Sequence, residues 1–246
     1  MSLSEKMPLP KFSVASPNRA VKSIRDRLAT GSVEWSTDLA RVLALPRRPK
    51  PDLGPLVDQY TLRLRKPEGT MVLRPIQAWG LHELETVGGL LGPIGIGAGK
   101  TLIGMLAPMV TKNCQRAVLL LPPDLRVQFH HEWPEYAKHW RLPNLAGGTS
   151  FVDDGRPVLH VVAYSELSGT KNSNLLEDIN PDAIFGDEIQ CLASFLSARS
   201  KRLLRFFANH SATRFGGWTG TMTSDSPDDY AHFGFFAIGA GSPLPI

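Results

Sequence analysis

The sequence predicts an α/β domain built on a mainly parallel sheet, preceded by a small helical N-terminal arm. Three observations predict it. From about residue 70, short apolar runs alternate with segments of helical periodicity, as βαβ units require. A glycine-rich turn, Gly92-Pro-Ile-Gly-Ile-Gly-Ala-Gly-Lys100-Thr101, joins one apolar run to a helix. A later apolar run, Pro181-Asp-Ala-Ile-Phe-Gly-Asp187-Glu188, ends in two acidic residues.

Taken in order, residues 1–16 are polar and lack periodicity, which predicts disorder or loose attachment. Val21, Ile24 and Leu28 share a helical face after Ser16-Pro17, with Gly31 as a stop. A second amphipathic helix is expected over 32–45, ending at Pro46, so the two form a small hairpin. Arg47 to Gly54 reads as a basic, proline-punctuated linker. Tyr60 to Leu64 alternates enough to suggest a strand, and a turn near Pro67-Glu-Gly69 leads into the main domain. The expected division is therefore an arm over 1–69 and a principal domain over 70–246.

In that domain a helix runs through Trp79, Leu81, Leu84 and Val87. Strands are expected at 88–94, 117–121, 158–163, 183–185 and 215–219, each short, apolar and bounded by turn residues. A helix follows Thr101, with Pro108 in its last turn. Leu125 to Trp140 reads as a helix interrupted by Pro134, and Asn144 to Gly155 as a loop.

Composition excludes several classes of function. The chain has 246 residues, 42% of them hydrophobic, enough for a full core. Cys114 and Cys191 are too few for a disulfide framework and point to a reducing, intracellular setting. No apolar run is long enough to span a membrane, so no membrane partner is expected. His130-His131-Glu132 lacks the paired-histidine spacing of a helical zinc site. The net charge of +4 is uneven, since residues 1–70 hold 13 Lys+Arg against 7 Asp+Glu and the remainder 14 against 16. A basic arm attracts phosphate backbones or is merely solvated.

The chemistry resides in the two polar strand ends. Gly95, Gly97 and Gly99, with Ala98 between the last two, let backbone N–H groups approach an anion at a helix N-terminus. Lys100 would then reach the β- and γ-phosphates of ATP, and Thr101 would ligand Mg²⁺. The P-loop pattern asks for glycine at 94, where this chain has isoleucine; a glycine-rich turn with a chance Lys-Thr is the alternative. Asp187, beside that loop, would hold Mg²⁺ directly or through water, and Glu188 would polarise the attacking water.

These motifs resemble the first RecA-like domain of superfamily 2 helicases and translocases, and most resemble the Swi/Snf-type branch. The resemblance covers about residues 70 to 246. Leu73-Arg-Pro-Ile-Gln77 is similar to the family's opening motif, which implies an adenine contact for Gln77. Gly97 to Thr101 matches motif I and Asp187 to Gln190 motif II, which places Gln190 with the catalytic residues. Leu119 to Gln128 and Val161-Val-Ala-Tyr-Ser165 resemble nucleic-acid-contact motifs, Ser197 to Arg202 resembles the segment after motif II, and Trp218-Thr-Gly-Thr221 resembles motif III. Glutamine at 190 stands where the branch usually has histidine, and Met222 where motif III usually ends in proline.

The resemblance implies ATP hydrolysis coupled to movement on nucleic acid, double-stranded DNA in this branch. It also implies a second RecA-like domain, in cis or in trans, since only about 25 residues follow motif III and such a domain needs ~100–150. As an isolated chain the ATPase is expected to be weak or inactive. A non-hydrolysing, nucleotide- or nucleic-acid-binding adaptor of the same fold is the alternative. Arg199, Lys201, Arg202 and Arg205 line either a nucleic-acid path or a solvated helix face, and Trp133, Tyr136 and Trp140 form either a stacking platform or a buried face.

Overall fold

A computed structural model describes residues 36–148, 151–194, 196–221 and 227–244. The helix expected over 17–31, its hairpin with the next helix, and Met222 lie outside the described residues.

Nine α-helices and six strands are described. They are α1 (Thr37–Ala44), α2 (Leu53–Leu64), α3 (Pro75–Thr86), β1 (Leu90–Pro93), α4 (Lys100–Val110), β2 (Arg116–Leu121), α5 (Pro123–His139), β3 (Asn144–Leu145) and β4 (Val158–Ala163). There follow α6 (Tyr164–Ser168), α7 (Leu175–Ile179), β5 (Ala183–Asp187), α8 (Ala198–Asn209), β6 (Arg214–Thr219) and α9 (Ala231–Ile238). The strands form one sheet in the order β1-β6-β5-β2-β4-β3, and every pairing is parallel.

A parallel sheet needs cover on both faces, and the alternation within β2 shows both. Ala117, Leu119 and Leu121 point to one core, with Leu81, Leu84, Ile103, Leu106 and Phe129 from the covering helices. Val118 and Leu120 point to the other, with Leu167, Leu203, Phe206 and Phe233. Helix α4 crosses the first core almost wholly enclosed; Ile103, Met105, Leu106 and Ala107 have no exposed surface.

The expected strand over Tyr60–Leu64 is instead the end of α2. Alternation would bury Leu62, yet Leu62 is 70% exposed and Thr61 is buried. Leu56, Tyr60 and Leu64, four residues apart, line one helical face in the first core. Asp52 caps the helix by accepting from the Gly54 amide at 3.1 Å. The Thr61 hydroxyl oxygen accepts from the Leu73 amide at 3.1 Å, so this helix also anchors the chain entering α3.

Two further differences have local causes. Helix α5 runs through Pro134 without interruption. The missing N–H would have bonded the carbonyl of His130, and both residues are exposed, so that carbonyl can meet water instead. Asn144 and Leu145, expected in a loop, pair as an edge strand with Val158 and Leu159. The Asn144 side chain fixes this edge by bonding both the N–H and the C=O of Val152.

A polar cluster joins α2 to α3. Tyr60 donates to Glu85, and Arg63 bonds the same carboxylate at 2.8 Å. Burial raises the Glu85 carboxyl, but Arg63 and Tyr60 outweigh it and leave the group below its ordinary value of 4.5. A depressed folded-state value makes the stabilisation complete above the unfolded value and lost as pH falls below it. The melting midpoint should therefore drop on acidification below about pH 4.5, and Glu85→Gln should flatten that limb when the two proteins are melted side by side across the range.

The N-terminal helix is tied to the far end of the chain. Helix α1 buries none of its residues, but Arg41 donates to the carbonyls of Ser242 at 2.7 Å and Leu244 at 2.8 Å. Among the described residues no helix is long and apolar enough to cross a membrane.

Candidate active site

The turn at 95–101 and the acidic pair at 187–188, the expected site residues, converge at the carboxyl ends of β1, β6 and β5, where open parallel sheets place their ligands. The register sets Pro93 beside Thr219, and Trp218 beside Asp187. The turn after β1 and the acidic pair after β5 therefore flank the end of β6. Ile94 donates its amide to the Thr219 carbonyl at 3.0 Å, locking the start of the glycine-rich turn to β6.

The turn has an open cradle's geometry. Gly97 and Gly99 have φ of +77° and +79°, values that glycine adopts without strain. No heavy atom lies within 4 Å of the place a Cβ would occupy on Gly95 or Gly97, so the backbone there faces open space. Ala98 instead packs against the first core, and its amide bonds the Gly95 carbonyl at 3.3 Å. Helix α4 begins at Lys100, directly after Gly99, so its unpaired N–H groups point into the turn.

Lys100 and Glu188 meet. The Lys100 ammonium is 2.9 Å from Glu188 Oε1 and 3.3 Å from the Ile94 carbonyl. Glu188 Oε2 accepts from Gln190 Nε2 at 3.0 Å and from the Thr219 hydroxyl at 3.1 Å. Gln190 thus reaches the end of β6 through the Glu188 carboxylate. Burial pushes the Glu188 carboxyl up, but Lys100, Gln190 and Thr219 outweigh it, and the group lies below its ordinary value. Asp187 behaves oppositely. It is 4% exposed, and burial together with the Glu188 charge pushes it up to about 6.

Thr101 and Asp187 face one small recess of about 10 Å³, with Leu121, Leu125, Gln128 and Phe129 as its other walls. Thr101 and Asp187 thus line the same recess, and both carry hard oxygen donors of the sort Mg²⁺ prefers. The open glycine cradle, the helix N-terminus, Lys100 and this oxygen pair fit a magnesium-bound nucleoside triphosphate.

Gln77 is used inside the protein. Its Oε1 accepts from the Arg74 amide at 2.8 Å, and its Nε2 donates to the Gly99 carbonyl at 3.0 Å. Arg74 in turn donates to the Gly97 carbonyl. The start of α3 therefore holds the glycine turn in shape, a bracing role that the Leu-Arg-Pro-Ile-Gln resemblance does not name. A Cβ on Gly99 would collide with the Gln77 amide nitrogen. Gly99→Ala should cost about 1–2 kcal/mol for the left-handed backbone alone, with the Gln77 clash in addition. Thermal melting of the variant against wild type measures the sum.

Two of the four basic residues of α8 are also used internally. Arg202 donates to the Gly169 carbonyl at 2.8 Å, and Arg205 pairs with Glu177 at 2.8 Å, so both brace the segments after β4. Trp140 is fully enclosed, while Trp133 and Tyr136 are half-buried against the first core. Tyr164, in a segment resembling a nucleic-acid-contact motif, is 1% exposed and donates to the Asp187 carbonyl at 2.8 Å. Sequence reading missed this link, because only the paired strand ends reveal which way the phenol points. A groove of about 350 Å³ lies beside it, lined by Arg126, Val127, His130, Ser165 and Glu166 among others. Arg126 pairs there with Glu166 at 2.5 Å.

No protein-family model and no curated protein matches the sequence. Among solved structures, the chain is similar to the UvsW helicase from bacteriophage T4. The TM-score is 0.51 at 13% identity, over 90% of this chain and 77% of that one. A second T4 UvsW structure matches with a TM-score of 0.46 at 13% identity, over 84% of this chain and 41% of that one. What the first match establishes is the fold: this chain is a RecA-like α/β domain with a six-stranded, all-parallel sheet.

Proposed function

We propose that the chain is the ATP-binding first motor domain of a superfamily 2, Swi/Snf-like DNA helicase or translocase. It would couple ATP hydrolysis to movement on double-stranded DNA, with a second RecA-like domain in cis or in trans. The observation that carries this reading is the 2.9 Å pair between Lys100, opening the helix after β1, and Glu188, closing β5. Two polar strand ends far apart in sequence form one site, beside a glycine turn that faces open space. The shared fold with T4 UvsW supports a helicase-type motor.

In this reading the N–H groups of residues 95–100 bind the phosphates, and Lys100 leaves Glu188 to neutralise phosphate charge. Thr101 and Asp187 would hold Mg²⁺. Glu188, held by Thr219 and Gln190, orients the attacking water. Bound Mg-ATP supplies the transferable phosphoryl group and the charge screening of the metal. The adenine contact expected of Gln77 would use the second N–H of an amide whose two ends already brace the turn.

A second reading, the non-hydrolysing adaptor, is favoured by the saturation of Glu188, whose two oxygens are engaged by Lys100, Gln190 and Thr219. Binding of a fluorescent ATP analogue with Mg²⁺ to wild type and to Lys100→Ala tests nucleotide binding itself. Binding lost in the variant supports both readings, and turnover then separates them. No binding by the full-length gene product sinks the hydrolytic reading and leaves the adaptor only as a nucleic-acid-binding fold.

A further inference from the structure

Glu188 adopts an unusual backbone. Its φ and ψ are 53° and 55°, a left-handed conformation for a residue with a long side chain. Such a residue persists only where its surroundings over-determine it. On the side-chain end, Lys100, Gln190 and Thr219 hold the carboxylate. On the backbone end, the Glu188 amide donates to Asp187 Oδ1 at 2.9 Å, and the carbonyl of Asp187 accepts from the Tyr164 hydroxyl at 2.8 Å.

The Tyr164 contact differs from the others. It comes from α6, which follows β4 rather than β1, β5 or β6, and it grips the peptide that joins the two acidic residues. Tyr164 is buried in the second core, so its ring is fixed by packing. Gly186 leaves room for two neighbours, since a Cβ there would lie 2.8 Å from Ile189 Cγ2 and 3.1 Å from the Tyr164 hydroxyl. Two residues on, Glu166 bonds the Ala163 amide at 2.7 Å and pairs with Arg126, so the same short helix lines the 350 Å³ groove.

We infer that Tyr164 is a positioning residue for the acidic pair: its hydroxyl pins the Asp187–Glu188 peptide in the orientation that aims Glu188 at Lys100. It touches neither nucleotide nor nucleic acid and acts through the peptide it holds. This inference rests on the hydrolytic reading of the site.

The test is Tyr164→Phe in the full-length gene product, measuring ATP turnover with saturating DNA and affinity for a non-hydrolysable Mg-ATP analogue. A small displacement of the water-orienting carboxylate should lower kcat about 10–100-fold, with analogue affinity within about twofold of wild type, because the glycine turn and Lys100 are untouched. Tyr60→Phe is the control. It deletes another buried hydroxyl, one that donates to Glu85 away from the site, and should lower the melting midpoint while leaving turnover unchanged. Should Tyr164→Phe not fold, Gly186→Ala in an Ile189→Leu background, which removes the Cγ2 that a Cβ at 186 would meet first at 2.8 Å, has to give the same split against Ile189→Leu alone. Turnover at the wild-type level in Tyr164→Phe overturns the inference. So does turnover that falls only in step with the melting midpoint, as in a purely structural role. Wild-type protein that binds the analogue without hydrolysing ATP would sink the hydrolytic reading itself, and this inference with it.

Discussion

Glu188→Gln is expected to lower ATP turnover about 10²–10⁴-fold, the range for removal of a general base, when measured with DNA in the full-length gene product. The substitution nearly preserves shape. An amide can keep a bond to the Thr219 hydroxyl through its oxygen, yet it cannot accept a proton from water or balance the Lys100 ammonium. Because the carboxyl lies below its ordinary value, it is ionised at neutral pH. In the hydrolysis we propose, its task would thus be to orient and polarise water more than to act as a strong base. If turnover is unchanged, Glu188 does not orient the attacking water, and that assignment of the acidic pair fails.

Lys100→Ala should weaken Mg-nucleotide binding about 10–100-fold. A hydrogen bond to a charged group contributes about 1.5–3 kcal/mol, and each 1.4 kcal/mol is about tenfold in affinity. The loss also leaves the Glu188 carboxylate without its cation at the spot the phosphates would approach, which adds repulsion. Lys100 is 9% exposed and paired, so removing it should lower stability as well. Measuring the melting midpoint beside the analogue titration separates the two effects. Wild-type affinity in a folded variant would show that the glycine turn does not bind phosphate through Lys100.

The features legible in the sequence are those carried by adjacent residues. The strands at 90–93, 116–121, 158–163, 183–187 and 214–219 announce themselves as short apolar runs, because a parallel strand is buried on both faces. The glycine turn is visible because left-handed backbone at 97 and 99 favours glycine wherever it occurs. Local pattern misled at Tyr60–Leu64, where two periods fit a five-residue window and only the buried partners in α3 select the helical one. It misled again at Pro134, where exposure of the His130 carbonyl decides whether a helix can continue.

The sequence by itself determined the fold class, the glycine cradle with Lys100 and Thr101, and the acidic strand end at Asp187 and Glu188. All of these are set by backbone preference and burial over a few neighbouring residues. Only the tertiary structure decided that Lys100 meets Glu188, that Gln77 and Arg74 brace the turn, that Arg202 and Arg205 are spent on internal carbonyls and Glu177, and that Tyr164 faces Asp187. Those contacts join residues distant in the chain. Their existence depends on strand order and register, which pair β6 with both β1 and β5 and which no local periodicity encodes.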